Sequence, residues 1–510
     1  MKIAVYSPNW IGDSVLALPF IKALKTRYPN ATLYIFCKEW VSDIYRNHPD
    51  VDNIISVQKA SLDSFIGTIK CGFKLRKIKL DYFFTLTDSF RSALVLRISG
   101  SLKTIGYKSQ MRSFLLTDSR SKSKLTIHRS KKNMSKFDNI KNIIVKDQLK
   151  LDCGQTISDF PIAYETYGKL NSKKDNAILV FHALTGDQFA TDINPITKKD
   201  GWWKYALGKG KAIDTNKYFV ICANVLGGCM GSFGPSSLNR ETGKPYGNDF
   251  PVITINDMVN AQYFLLKHFK IDKLFCVTGG SMGGMQVLQF VANFPGASHT
   301  AVPIACTSNH SAQNIGFNEL GRQAIMADVN WKSGKYEETN SSPNKGLSVA
   351  RMAAHITYLS KDALQEKFGR KLQERDDLKF SFDADFQIES YLRHQGSVFV
   401  DRFDANSYLY ITRAMDYFDL NKKYGGNLSK AFENSKTKFF IISFTSDWLY
   451  PSSENREIVI ALNSIGADVG YVEIESDKGH DSFLLNVPDF LETLKNFLNK
   501  SYERLNEKRI

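Results

Sequence analysis

The chain has 510 residues, enough for more than one domain, and its 43% hydrophobic and 23% charged residues fall near the soluble globular average. That balance excludes a disordered, collagenous or coiled-coil polymer, and no run approaches the ~18 consecutive apolar residues of a membrane span. The net charge of +15 is unevenly placed, because residues 1–133 carry 23 basic and 9 acidic side chains while residues 134–510 carry 44 and 43. A solvated basic surface accounts for the first segment's surplus as well as an anionic partner does, and no nucleic-acid partner is expected. Cys37, Cys71, Cys153, Cys222, Cys229, Cys276 and Cys306 are scattered and lack CxxC spacing. They predict reduced thiols in a cytoplasmic protein, with no disulfide framework and no metal site. Pro8, Asn9 and Asp13 interrupt the apolar N-terminus where a signal peptide needs an unbroken core.

In chain order, KIAVYS (2–7) reads as a strand, followed by a turn around Pro8–Gly12 and an amphipathic helix from Ser14 to about Tyr28. TLYIFC (32–37), VDNIISV (51–57) and LDYFFTL (80–86) continue the strand–helix rhythm of a doubly wound sheet. Gly12 and Asp13 fall at the first strand-to-helix turn, where such folds place their ligands. SRSKSKLTIHRSKKN (119–133) has no apolar residue beyond Leu125 and Ile127, which predicts a basic polar linker over 118–133. Beyond it, AILVFHA (177–183), YFVICANV (218–225) and KLFCVTGG (273–280) are continuous apolar runs, as expected of strands buried on both faces. Residues 311–435 turn helical and charged, and strands resume at KFFIISF (438–444) and VGYVEIES (469–476). The pattern predicts an α/β core over 134–310 and 436–510, interrupted by a helical lid over 311–435. There is no internal repeat.

Gly279-Gly280-Ser281-Met282-Gly283-Gly284 lies between an apolar strand and the helix-like MQVLQFVANF. A serine forced into a sharp strand-to-helix turn is presented for nucleophilic attack, and flanking glycines remove side chains that would collide there. An ordinary glycine-rich turn is the alternative. A nucleophilic serine needs a base and the base an orienting carboxylate, which this architecture supplies in the order Ser, Asp, His. Asp447 follows the strand KFFIISF, and His480, alone among nine histidines, lies beyond it. Backbone N–H groups of Leu184, after the strand AILVFHA, and of Met282 would hold the oxyanion. His182 reads as a hydrogen-bonded structural histidine.

FHALTGD, NVLGGCMGSFGPSS, GKPYGNDFPVITINDMV, GGSMGGMQ, FNELGRQAIMADVNW, ARMAAHITYLS, SFTSDWLYP and GHDSFLL occur in that order. From about Met134 to the C-terminus the chain resembles the homoserine O-acyltransferase family of the α/β-hydrolase fold. The resemblance implies Ser281 as nucleophile, Asp447 and His480 as its partners, and a ping-pong acyl transfer with acetyl-CoA as co-substrate and no permanently bound cofactor. It also implies that Arg351 holds the carboxylate of L-homoserine, with Tyr358 nearby, that Asp481 holds its ammonium, and that the enzyme is a homodimer. Leu449, two residues after the acid, stands where succinyl-preferring relatives resemble an arginine. Leucine offers a succinyl carboxylate no counter-charge, so an acetyl donor is expected.

PNWIGDSVLALPFIKALKTRYPNATLYIF, HPDVDNII and KTIGYKSQMRSFLLT make residues 1–117 resemble the acceptor half of the lipopolysaccharide heptosyltransferase family. That resemblance implies a truncated, Rossmann-like half-domain with Asp13 as candidate base, while the family's donor-binding half has no counterpart before Met134. The competing functions are succinyl transfer, acyl transfer to serine, plain ester hydrolysis by the same triad, and sugar binding or glycosyl transfer by residues 1–117.

Overall fold

A computed structural model of the chain describes residues 1–9, 11–58, 65–87, 89–107, 112–120, 140–339, 341–373, 377–378 and 380–507. The chain divides into two units, Met1–Thr126 and Ile127–Ile510.

In the first unit, alternate side chains of the first four strands enter different cores, the period of two that strands impose. Its strands are β1 (Lys2–Tyr6), β2 (Thr32–Lys38), β3 (Asn53–Val57), β4 (Tyr82–Thr85), β5 (Lys103–Tyr107) and β6 (Asp118–Arg120). All pair in parallel, in the order β3-β2-β1-β4-β5-β6. Ile3 and Val5 of β1 pack with Ile21 and Leu24, while Ala4 and Tyr6 pack with Leu75, Val95 and Leu96. The single helix expected from Ser14 is instead two, α1 (Ile11–Leu16) and α2 (Leu18–Arg27). Pro19 explains the break: with no N–H to donate, it is tolerated in the first turn of α2 and would disrupt a helix interior. Asp13 accordingly sits exposed in α1, past the strand-to-helix turn. The linker expected from residue 118 starts later, because Asp118–Arg120 pair with Ile105–Tyr107 of β5. An edge strand needs backbone partners on one side alone, so a polar sequence is no obstacle. The rest of the expected linker, residues 121–133, lies outside the described residues.

The second unit is built on β7 (Asn142–Val145), β8 (Phe160–Tyr167), β9 (Ala177–Phe181), β10 (Phe219–Ala223), β11 (Leu274–Gly280), β12 (Ser298–Ile304), β13 (Lys438–Phe444) and β14 (Val469–Ile474). They form one sheet in the order β14-β13-β12-β11-β9-β10-β8-β7. β8 runs antiparallel to both β7 and β10, and the remaining pairs are parallel. Every residue of β9, β10 and β11 is buried, as their unbroken apolar runs require. One face is covered by helices α3 (Ile255–Phe269) and α4 (Met282–Asn293), the other by α5 (Pro488–Glu507), which buries Phe490, Leu494 and Leu498 at four-residue spacing. Between β12 and β13 the chain inserts α6 (Ala312–Met326), α7 (Asn344–Tyr358), α8 (Gln387–Phe399) and α9 (Ala405–Asp416).

Candidate active site

The site lies past the carboxyl ends of the parallel strands, where open α/β sheets bind ligands. Ser281 joins β11 to α4 with φ +59° and ψ −127°, outside the regions side chains prefer. Its N–H donates to Ile304 O at 3.0 Å, which ties the strained turn to β12. The glycines are needed for space: a Cβ on Gly283 would lie 2.2 Å from Phe181 O, and one on Gly279 2.5 Å from the same atom. The N–H groups of Met282, in the first turn of α4, and of Leu184 donate no hydrogen bond among the described residues. Two donors therefore remain available beside Ser281, the arrangement an oxyanion requires.

His182 ties the Leu184 loop to the segment after β10. Its Nδ1 bonds Ala183 O at 2.7 Å, and its Nε2 accepts from Val225 N–H at 3.1 Å. Burial pushes its pKa down to about 4, so both contacts belong to a neutral ring, in keeping with a structural role.

Asp447 follows β13 and His480 lies in a short 3-10 turn, Gly479–Phe483, after β14. Asp447 Oδ2 meets His480 Nδ1 at 2.8 Å, while Oδ1 accepts from the N–H groups of Leu449 and Tyr450, both at 3.0 Å. Burial alone would lower the His480 pKa. The Asp447 charge, its hydrogen bond and Asp481 outweigh that effect and hold it above its ordinary value. Gly479 has φ +70°, and a Cβ there would lie 2.5 Å from Ser360 N, so the turn fits against the segment following α7 only with glycine. The Ser281 hydroxyl and His480 Nε2 have no hydrogen-bond partner among the described residues, so each is open to a reactant. Catalytic contacts of this kind often close only when substrate is present.

Arg351 and Tyr358 are two turns apart on α7 and share one face. The Arg351 guanidinium carbon is 5.5 Å from the Tyr358 ring centre, and its Nη1 donates to Thr185 Oγ1 at 3.3 Å. The Tyr358 ring is 6.1 Å from that of His480. Asp481 makes no side-chain hydrogen bond or ion pair among the described residues; burial lifts its pKa to about 6, against the opposing pull of His480 and Arg351. Arg351 and Asp481 form no ion pair with each other within 4.0 Å.

Ser281 opens onto a cleft with about 460 Å³ of empty volume, whose walls include Leu449, Phe317, Ala354 and Met415. A network that sequence reasoning missed lies beneath this cleft. His310 bonds Tyr450 at 2.8 Å and Asp416 at 3.2 Å, and Asp416 pairs with Arg322 at 2.7 Å. Burial would raise the Asp416 pKa, but His310, Asn318 and Arg322 hold it below its ordinary value. Arg322 also pairs with Glu319 at 2.8 Å, so this buried arginine is already engaged. His310 precedes Asp447 in the chain, outside the Ser, Asp, His order, and its position just past β12 is the signal the sequence offers.

A family model described as alpha/beta hydrolase fold matches residues 176–487. The homoserine O-acetyltransferase of Pelagibacter ubique (strain HTCC1062) is 76% identical over 366 residues, 72% of this chain and 98% of that protein. Among solved structures, homoserine O-acetyltransferase from Bacillus anthracis superposes with a TM-score of 0.65 at 28% identity, covering 70% of this chain and 97% of its own. Esterase E22 superposes with a TM-score of 0.63, also at 28% identity, covering 71% and 99%. With a strained serine turn, two open amide donors and a buried Asp–His pair on this sheet, the chain belongs to the homoserine O-acetyltransferase family of the alpha/beta hydrolase fold.

Proposed function

We propose that the protein transfers the acetyl group of acetyl-CoA to the side-chain hydroxyl of L-homoserine through an acyl-serine intermediate. The observation that carries this reading is the pair of charges without an ion-pair partner among the described residues: Arg351, at Thr185 of the Leu184 loop, and Asp481, next to His480. A zwitterionic amino acid needs one fixed cation and one fixed anion; water and simple alcohols need neither.

In this mechanism His480 Nε2 takes the proton of Ser281 as Oγ attacks the thioester carbonyl. Asp447 holds the imidazole by its Nδ1–H and stabilises the imidazolium. The oxyanion accepts from the N–H groups of Leu184 and Met282. Collapse expels the thiolate of coenzyme A, which takes the proton back from His480. L-Homoserine then binds with its carboxylate at Arg351, beside Tyr358, and its ammonium at Asp481. His480 deprotonates its hydroxyl, which attacks the acyl ester, and the proton returns to Ser281 Oγ as O-acetylhomoserine leaves. Leu449 and its apolar neighbours face the acetyl methyl, and Arg322, held by Asp416 and Glu319, is not free to receive a succinyl carboxylate.

Mixing purified protein with acetyl-CoA, with and without L-homoserine, tests the reading. O-acetylhomoserine should form, and steady-state thiol release should depend on the acceptor. Equal thiol release without homoserine would identify a hydrolase instead, the reading that the likeness to esterase E22 keeps in view.

The helical insertion is proposed to act as the lid of this site, since α6 and α7 contribute Phe317, Ala354 and Tyr358 to the cleft. The first unit is proposed to be a glycosyltransferase-like half-domain that takes no part in acyl transfer. Its parallel strand order and the exposed Asp13 after β1 support the likeness. A homodimer in the cytoplasm is proposed from the family resemblance, and sedimentation of the purified protein measures the first of these. No helix among the described residues is long and apolar enough to cross a membrane.

A further inference from the structure

Arg402 lies between α8 and α9, and its N–H donates to Phe399 O at 3.1 Å. Its guanidinium carbon is 5.6 Å from the centre of the Phe399 ring, and that of Arg351 is 4.7 Å from the same ring. Both arginines line one cavity, with about 970 Å³ of empty volume, that begins at Ala183 and Thr185 of the oxyanion loop. Among the described residues neither guanidinium has a carboxylate within 4.0 Å. Asp187 lines the same cavity, but its Oδ1 accepts from Phe189 N–H at 2.9 Å and its Oδ2 from Asn194 at 3.1 Å.

Two guanidiniums that share one ring and one cavity repel each other, and their enclosure removes part of the water that would screen them. Burial and the Arg351 charge both pull Arg402 below its ordinary pKa, and Asp187 opposes them only in part. A close cation pair of this kind is stabilised when an anion enters between its members, and a carboxylate has two oxygens to offer, one to each guanidinium.

We infer that Arg402 is a second arginine of the acceptor site, and that the α-carboxylate of the acceptor amino acid lies between Arg351 and Arg402 and accepts hydrogen bonds from both. The inference rests on the proposed homoserine reading and adds a specificity-determining residue to it. It predicts that the enzyme selects amino-acid acceptors over amino alcohols through two charges rather than one.

The test uses the full chain with Arg402→Gln and Arg402→Lys, and two acceptors: L-homoserine and 3-aminopropan-1-ol, which is homoserine without its carboxylate. Arg402→Gln should raise KM for L-homoserine by roughly tenfold to a hundredfold, the usual worth of one charge-assisted hydrogen bond. It should leave KM for acetyl-CoA, and kcat/KM for 3-aminopropan-1-ol, within about twofold. Arg402→Lys should recover part of the loss. The ligand-free melting temperature should be unchanged or higher, since an unpaired enclosed cation is removed.

A rise in KM for acetyl-CoA with homoserine unaffected would overturn the inference and assign the cation to the donor's phosphates. Equal losses on both acceptors would make Arg402 merely structural. Calorimetric titration of L-homoserine into Ser281→Ala protein needs no turnover and separates this inference from the reading beneath it. A parent chain that binds homoserine without acylating it removes the proposed reaction, while weaker binding in the double variant with Arg402→Gln still supports the clamp. A parent that does neither overturns both.

Discussion

Asp481→Asn should separate the stability of the free protein from its grip on the acceptor. Burial, with Asp447 adding to it, lifts the carboxyl from an ordinary 3.8 to about 6 against the pull of His480 and Arg351. A folded-state value above the unfolded one means that ionised Asp481 costs stability. The cost is absent below about pH 4, where both states are protonated, grows between about pH 4 and 6, and is full above about pH 6. A rise of that size corresponds to roughly 3 kcal/mol. Asp481 is only partly enclosed, and screening reduces this to roughly 1–2 kcal/mol. Asparagine cannot ionise, so the variant's melting temperature at pH 8 should exceed the parent's by about 1–3 °C, with no difference at pH 4. In the proposed mechanism the same change removes the counter-charge of the acceptor's ammonium and should raise KM for L-homoserine by roughly a hundredfold or more. The first-turnover burst of coenzyme A should persist, because acylation of Ser281 does not use Asp481. Thermal melts at the two pH values and rapid-quench thiol assays measure these effects. A lower melting temperature at pH 8, or the same shift at both pH values, would show that the carboxylate is already compensated in the free protein and is not a vacant ammonium site.

Asp447→Asn should keep the two hydrogen bonds from Leu449 and Tyr450 but present an amide to His480 Nδ1, leaving the ring in the wrong tautomer; kcat should fall by about 10⁴ while the melting temperature stays close to the parent's. Retention of a tenth of the activity would remove Asp447 from the mechanism. Leu449→Arg should shift the ratio of kcat/KM toward succinyl-CoA, since it puts a cation on the apolar wall of the Ser281 cleft; an unchanged ratio would place the acyl group elsewhere. Removal of residues 1–133 should leave acetyl transfer within about twofold of the full chain, and a folded 134–510 protein without activity would show that the first unit contributes to the site.

The serine turn was legible because its constraints are local. Only glycine fits where Gly279 and Gly283 approach Phe181 O, and that requirement leaves its mark within six consecutive residues. Asp447 and His480 were legible from chain order, since each follows a strand whose apolar run declares it. Arg351 and Asp481 were located through family resemblance, because one arginine on an amphipathic helix carries no mark of its own. The small elements were harder to read. The helix from Ser14 broke at Pro19, and Asp118–Arg120 joined the sheet, because a single backbone partner overrides a polar composition at an edge.

The sequence by itself determined two segments of different charge, two sheets, a serine turn, and the order in which acid and base follow it. Each of these is written as periodicity, glycine placement or strand-then-residue succession, which depends on neighbours along the chain. Only the tertiary structure decided which charges lack a partner. Arg351 meets Thr185 across 166 residues and shares the Phe399 ring with Arg402, whereas Arg322 is consumed by Asp416 and Glu319. All three are arginines on or beside helices of one insertion, indistinguishable by composition. Whether such a group is neutralised or left open to a ligand depends on what distant strands and helices bring within about 4 Å of it, because a charge's interaction energy depends on distance and local dielectric rather than on sequence separation.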